Sequence, residues 1–309
     1  MAPKISVIIP VFNNRENEVQ NAIASVIAQT HQDFEIIVVN DCSDDNGRTI
    51  ADVNACIAKY PSHAISLITH PTNQGVSAAR NTGIKKANGE FITTLDSDDL
   101  WHPEKLAAQL QAIEQSGDRN NTICLCDFDA HPKNGIGGVD HWRPSHNANL
   151  SLSILGGGVY NMGSTMMAHR NVFNKTGLFD VAMKNAAEDW EWLVRHVALG
   201  GKCIAVPRVL STYYYVEKKT YPRQGEQITY MHRKHKDAIR KNLGFRAYRY
   251  FISGVNEHLY HYSSKTNQKL QARKSFVKMA ASPRRFAIKL GRFALRKLRR
   301  NNTEPKIHL

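Results

Sequence analysis

Between residues 5 and 116, short β-branched runs alternate with segments whose apolar residues recur at helical spacing, and this alternation restricts the chain to very few folds. Ile5–Val11 reads as a strand that stops at Pro10 and Asn13-Asn14; Val19, Ile23, Val26 and Ile27 then mark a helix face. Phe34–Asn40 reads as a second strand, halted by Asp41-Cys-Ser-Asp-Asp-Asn-Gly, with a helix running to about Lys59 before Tyr60-Pro61. Ala64–Thr69 is a third strand, residues 76–87 a third helix with Gly89 as its stop, and residues 91–95 a fourth strand. Pro103 opens a helix to about Ser116, and residues 122–128 form a fifth strand. Strands and helices in this order build a mostly parallel, Rossmann-like α/β sheet covered by helices on both faces. Ligands of such sheets sit at the carboxyl ends of the strands. Asp41 and Asp96 both fall at those ends, so they are expected to converge on one crevice.

The fourth strand ends in Leu-Asp-Ser-Asp-Asp, which puts Asp96, Asp98 and Asp99 within four positions. Like charges packed at a strand end are costly unless a cation is near. Mg²⁺ and Mn²⁺ favour such hard oxygen ligands, and Mg²⁺ typically takes one or two carboxylates plus the oxygens of a bound phosphate. The cluster therefore points to a metal–phosphate site. The plainer reading is a solvated turn capping the next helix.

Residues 129–162 are rich in Gly, His, Pro and Asn, including Gly135–Gly138 and Gly156–Gly158, and read as one long loop. Beyond it, Glu188-Asp189 opens a helix whose apolar face is Trp190, Leu193, Val194, Val197 and Ala198, with Gly200-Gly201 ending it. Residues 203–206 form a further short strand. His232 and His235 are expected on a polar helix face.

Five scattered cysteines, with Cys124 and Cys126 alternating on one strand face, suit burial rather than bridging and so a reduced, cytosolic setting. The first ten residues lack the apolar stretch of a signal peptide, and no run reaches the length of a membrane span. The net charge of +14 is uneven: residues 258–309 carry 14 Lys/Arg against one Glu, and the preceding residues 27 Lys/Arg against 26 acidic residues. In this tail Arg285, Lys289, Arg292, Arg296 and Arg299 share one helix face, beside an apolar face of Phe286, Leu290, Phe293, Ala294 and Leu298 interrupted by Lys297. A basic amphipathic helix of this kind is addressed to an anionic membrane surface. The plainer reading is a helix that packs its apolar face on the body of the chain and leaves its charges in water; a third, a nucleic-acid tail, lacks any recognition motif in that body.

Five segments in order carry a family resemblance: Ser6-Val-Ile-Ile-Pro-Val-Phe-Asn, Glu35-Ile-Ile-Val-Val-Asn-Asp-Cys-Ser-Asp, Asn73-Gln-Gly-Val-Ser-Ala-Ala-Arg-Asn-Thr-Gly, Leu95-Asp-Ser-Asp-Asp-Leu and Glu188-Asp-Trp-Glu. Over residues 4 to about 200 the chain resembles the inverting glycosyltransferases of family 2, of the GT-A fold and bacterial envelope-polysaccharide type. The resemblance implies a catalytic domain over residues 1–215, with a nucleotide-binding half at 1–128 and an acceptor half at 129–215. A helical basic extension follows at 216–309. It implies transfer of a sugar from a nucleotide-sugar donor, with UDP favoured, to a glycan or glycolipid acceptor, in the cytoplasm at the inner face of the membrane.

Roles follow residue by residue. Pro10, Phe12 and Asn13 would lie against the donor's base, and Asp41 would accept a hydrogen bond from a uracil N–H. Asn73, Gly75 and Arg80 would border the nucleotide; the plainer reading of Arg80 pairs it with Asp41 or Asp99. Asp96 would face the ribose, and Asp96 and Asp98, the DXD motif, would hold Mn²⁺ or Mg²⁺. Asp99 would support them or cap the helix after Trp101. Asp189 would be the catalytic base, taking the acceptor hydroxyl's proton; its position at a helix start also suits the helix dipole. Trp190 is placed either in the acceptor pocket or in the core. One departure concerns Thr212-Tyr-Tyr-Tyr-Val-Glu-Lys-Lys-Thr-Tyr, read as the loop after the last strand. It lacks the Arg and His that many relatives carry there, which leaves Lys218, Lys219 and Arg223 as its diphosphate-facing cations. A nucleotidyltransferase, the alternative enzyme, would need a Gly-rich basic loop that residues 10–18 do not supply.

Overall fold

Ile5–Val11 (β1) is buried along its whole length, because it lies between two parallel neighbours in the middle of a sheet. The computed structural model describes residues 3–135, 137–158, 162–183, 187–215 and 224–265, with 271, 272, 274, 275, 278, 307 and 308. After β1 come Glu18–Ile27 (α1), Phe34–Asn40 (β2), Arg48–Lys59 (α2), Ala64–Thr69 (β3), Val76–Lys86 (α3) and Phe91–Thr94 (β4). Leu100–Trp101 (β5), Lys105–Glu114 (α4), Thr122–Pro132 (β6), Asp140–Trp142 (β7), Leu150–Leu155 (α5), Met162–Thr165 (α6) and Met167–His169 (β8) follow. Arg170–Thr176 (α7), Glu188–Ala198 (α8), Lys202–Tyr215 (β9), Gln224–Lys265 (α9) and Ile307–His308 (β10) complete the described elements.

The strands β3, β2, β1 and β4 are parallel and adjacent in that order, which is the parallel sheet expected from the alternation. Alternate side chains feed opposite cores. Ile8, Ile37 and Val39 join α3, α5, α8 and α9 on one face, while Val7, Ile9, Ile36 and Val38 join α1, α2 and α4 on the other. Helix α3 approaches β1 closely: a Cβ on Gly83 would stand 2.3 Å from Ile8 Cγ2.

Beyond β4 the sheet is mixed. The three-residue β8 is antiparallel to both β4 and β6, and β9 runs parallel to β6 over its length while Ser211 and Thr212 also pair β5 antiparallel. The expectation of one long loop over residues 129–162 is overturned. Strand β6 continues to Pro132, β7 pairs back on it, and α5 is a real helix whose N-cap Asn149 accepts from Leu152 N at 2.9 Å. Leu150, Ile154 and Leu155 anchor α5 in the core. The glycines and asparagines flanking these short elements hide them. Strand β9 is also longer than residues 203–206, so Thr212–Tyr215 belong to the last strand and not to a loop after it.

Helix α9 is helical on both sides of Gly244 (φ 80°, ψ 178°) and packs on α5 and α8 through Ile228, Met231, Ile239, Phe251 and Val255. His235 is buried against Glu191, and His232 lies 5.9 Å from the Phe251 ring, so the expected polar face for these histidines is incorrect. His235 falls on the same buried stripe as Ile228, Met231 and Ile239, facing α8. Among the described residues no helix is long and apolar enough to cross a membrane, and five free cysteines are present, four of them buried. The amphipathic tail at 285–299 and Lys218, Lys219 and Arg223 lie outside the described residues.

Candidate active site

The carboxyl ends of β2, β1 and β4 lie side by side and are joined by hydrogen bonds, Asn13 N to Ser43 Oγ and Asn14 Nδ2 to Ser97 Oγ. At the end of β1, Phe12 is 47% exposed, one of few large apolar side chains left in solvent. Asn13 adopts the left-handed conformation (φ 49°), which asparagine tolerates. Its N–H donates to Ser43 Oγ at 3.0 Å, and its amide exchanges hydrogen bonds with Asp44, joining the β1 and β2 ends. Pro10 is buried within β1, opposite Val39.

Asp41, just past β2, is 3% exposed, and its carboxylate is fully engaged by protein. Oδ1 accepts from His70 Nδ1 at 2.7 Å and from Gln74 N at 2.9 Å; Oδ2 accepts from Gly75 N at 2.7 Å. Asn73 Nδ2 donates to the Asp41 carbonyl at 3.2 Å. Asp41 thus ties the entry to α3, where Gly75 takes a φ of 89° that a side chain would strain. His70, which also meets Thr82 Oγ1 at 2.9 Å, is a partner the sequence reading did not single out.

Arg80 on α3 is 3% exposed and bridges two distant carboxylates: Nη2 to Asp96 Oδ1 at 2.6 Å and Nη1 to Glu188 Oε1 at 2.9 Å. It pairs with neither Asp41 nor Asp99, as the plainer sequence reading had it. The strand end at β4 and the start of α8 are therefore joined by one buried guanidinium, whose pKa the surrounding carboxylates push up despite burial. Gly163 leaves room for the bridge: a Cβ there would lie 2.4 Å from Asp96 Oδ2 and 2.6 Å from Arg80 Nη2.

The three aspartates divide their roles by environment. Asp99 is fully buried; it accepts from Ser164 Oγ at 2.5 Å and Tyr214 N at 3.0 Å, and burial beside Asp98 and Asp96 holds its carboxyl well above the ordinary range. Ser164 Oγ also accepts from Asp96 N at 3.0 Å. Asp99 is thus a support for the cluster and not a cap of α4. The Asp98 side chain is 37% exposed, and its pKa is raised by partial burial and by Asp96, against the lowering contact with Lys133. Lys133 lies 2.8 Å from Asp98 Oδ2 and 2.6 Å from Glu18 Oε1. Neither Lys133 nor Glu18 carried any signal in the sequence, since each sits in a segment with no motif.

The residues present fit a divalent cation. Asp96 and Asp98 offer hard oxygens at the crevice; burial first and then the neighbouring aspartates raise the pKa of Asp98 and Asp99, and a cation would relieve the part due to like charge. Among the described residues no group of three or more His, Cys, Asp or Glu side chains assembles around a common point. The remaining ligands would then come from a bound substrate and water.

Asp189 is the second residue of α8, after Ala187 in the left-handed conformation (φ 62°). Its Oδ1 accepts from Trp190 N at 2.7 Å. Burial, then Glu188, push its pKa up to about 6, against the lowering pull of Arg80. A carboxylate with that value is ionised at neutral pH and basic enough to take a proton. Trp190 turns away into the core: it is 5% exposed, donates Nε1 to Ile154 O at 2.7 Å and lies tilted against the His258 ring at 4.6 Å.

Residues 6–177 match glycosyl transferase family 2. An uncharacterized glycosyltransferase of Rickettsia conorii is 45% identical over 113 residues, covering 37% of this chain and 18% of that protein. One of Rickettsia typhi is 32% identical over 187 residues, covering 59% of this chain and 55% of that protein. The Escherichia coli UDP-Glc:alpha-D-GlcNAc-diphosphoundecaprenol beta-1,3-glucosyltransferase WfgD is 37% identical over 109 residues, covering 35% of this chain and 40% of WfgD. The chain thus spans about half or less of these curated relatives. Among solved structures, Staphylococcus aureus TarS 1–349 in complex with UDP-GlcNAc superposes with a TM-score of 0.65 at 18% identity, covering 92% of this chain and 82% of that one. The mannosyltransferase PcManGT of Pyrobaculum calidifontis, in complex with GDP-Man and Mn²⁺, gives 0.55 at 20% identity, covering 96% and 81%. These two likenesses establish the GT-A fold alone.

Proposed function

The chain belongs to glycosyl transferase family 2, and from that premise we propose that it moves a sugar from a UDP-sugar to an acceptor hydroxyl with inversion, in bacterial polysaccharide or lipopolysaccharide assembly. The observation that carries the reading is the buried chain Asp96–Arg80–Glu188 beside Asp189, which ties the donor-side strand end to a carboxylate with a pKa of about 6. UDP donors are supported by the names of WfgD and of the TarS complex.

The donor would lie along the strand ends, its base against Phe12 and Asn13 and its ribose toward Asp96. Asn73 and Gly75 border it on a loop that Asp41 fixes from beneath. With both Asp41 oxygens already bonded, a uracil N–H would share an occupied acceptor. Asp189 would take the acceptor proton as the hydroxyl attacks the anomeric carbon from the face opposite the departing diphosphate, so configuration inverts and no covalent glycosyl-enzyme forms. Asp96 and Asp98 would hold Mn²⁺ or Mg²⁺, which when bound neutralises charge on the leaving nucleoside diphosphate. Arg80 holds Asp96 and Glu188 in place. The acceptor is a glycan or glycolipid, and the basic 285–299 segment brings the enzyme to an anionic membrane surface from the cytoplasmic side.

The test is a screen of sugar nucleotides for thermal stabilisation with and without Mn²⁺. A UDP-sugar should raise the melting temperature only with the metal, and Asp98→Ala should remove the shift while the fold persists. Equal stabilisation in excess chelator would reject the metal's part. Membrane contact is tested by flotation with anionic liposomes, lost on truncation after Ser282.

A further inference from the structure

Two cations stand in the acidic crevice, and each is shared between two carboxylates: Arg80 between Asp96 and Glu188, Lys133 between Asp98 and Glu18. They differ in how firmly they are held. Arg80 is buried on a helix and lies over the Phe179 ring at 5.5 Å. Lys133 follows the end of β6, anchored by its backbone N–H to Tyr215 O at 2.8 Å, with a flexible side chain reaching into the crevice. Its side chain is only 13% exposed although it ends among acids at the crevice. Glu18 is fixed in turn: it opens α1, and Oε2 accepts from Arg15 N at 2.9 Å.

Asp98 is the aspartate with the most accessible side chain of those that could ligate a cation, at 37% against 28% for Asp96, and Lys133 already covers one of its oxygens. An ammonium in contact with that oxygen repels a divalent ion seeking it, over a distance at which unit charges interact strongly. Glu18 supplies a second seat from which the same ammonium can turn without leaving the crevice. A bound diphosphate would offer the displaced ammonium new anionic partners.

We infer that Lys133 is a resident cation that occupies Asp98 while no donor is bound, so that the divalent ion enters effectively only together with a nucleoside diphosphate, which takes over Lys133 with Glu18 as its pivot. This rests on the proposed donor site and adds to it an order of binding and a positioning residue. It also gives a reason for a lysine at a place where the acidic cluster alone would invite any free cation.

The experiment is a Mn²⁺ titration of the full chain, followed by the loss of the free-ion electron paramagnetic resonance signal, without nucleotide and with UDP. In wild type, Mn²⁺ alone should bind weakly and UDP should strengthen it markedly. Lys133→Met should bind Mn²⁺ alone about tenfold more tightly, and UDP should then strengthen it less, because the competing charge is gone. Lys133→Arg, which restores the charge, should bind Mn²⁺ alone as weakly as wild type; Lys133→Gln gives the same readout as Met should the latter fail to fold. Unchanged Mn²⁺ affinity in the nucleotide-free Met or Gln variant would overturn the inference, as would an Arg variant that binds as tightly as they do. Should wild type bind no UDP at all, the donor reading fails, and the nucleotide-free comparison still judges Lys133.

Discussion

Two carboxylates sit two residues apart on α8 and meet opposite fates. Asp189, in the first turn at the crevice, has one backbone donor from Trp190 and a like charge beside it in Glu188, and its pKa rises to about 6. Glu191, 0% exposed on the opposite side of the helix, is pinned by His235 Nε2 at 2.7 Å, Arg195 Nη2 at 2.7 Å and Lys234 Nζ at 3.1 Å, and its pKa falls to about 2. Burial alone would raise both. What separates them is the number of donors and cations each meets. The compensated group bolts α8 to α9; the under-compensated one is left with a proton affinity useful near neutrality. A buried carboxylate in this fold is a brace when its partners are complete and a base when they are not.

The largest effect that would sharpen the contrast comes from Asp189→Asn. Turnover should fall about a thousandfold while donor affinity stays within about twofold, because a base acts in the transition state and not in donor recognition. The variant should also be the more stable protein at pH 7.5. A carboxyl whose folded pKa is raised from 3.8 to about 6 contributes stability below its unfolded value and loses it as pH rises through about 6. The stabilisation should therefore shrink at pH 5. A collapse of donor affinity with high residual turnover would make Asp189 a structural cap.

Glu191→Gln should do the reverse. It leaves three cationic or polar partners short of a buried charge and should destabilise the fold by about 3 kcal/mol. The folded pKa is depressed, so the loss should be full above pH 4.5 and fade as pH falls toward 2. Chemical denaturation at pH 7 and pH 3 reads both. A Gln variant as stable as wild type at pH 7 would remove the brace from the comparison.

A smaller effect is expected from Arg80→Met. Removing the guanidinium takes away a charge that lowers Asp189, so the acid limb of the rate profile should move to higher pH. An unmoved limb would mean that Arg80 braces the loops without tuning the base.

How far the sequence disclosed these two regions follows from what each is made of. The parallel half was legible because its strands are rich in β-branched residues and the ends of β1, β2 and β4 carry Asn or Asp, so β1 through β4 and Asp41 and Asp96 fall where the pattern puts them. The start of α8 was legible from Glu188-Asp189 ahead of an apolar helical face. The connection between them was not. Arg80 meets Glu188 across 108 residues, and no local pattern encodes so distant a pair. Lys133 and the short strands β7 and β8 were hidden for a related reason: three-residue strands take their conformation from neighbours, not from their own propensity. The inward turn of His235 was missed because a polar side chain on the buried stripe of Ile228, Met231 and Ile239 reads as solvent-facing unless its distant partner, Glu191 on α8, is known.

The measurement that bears most directly on the central contrast is the pH dependence of kcat for sugar transfer in the wild-type chain, at saturating donor and Mn²⁺. If Asp189 is the base in the environment described, kcat is level above pH 7 and falls about tenfold per unit below about pH 6. A rate that stays level from pH 7.5 down to pH 4.5, as a carboxylate compensated like Glu191 would give, contradicts the account.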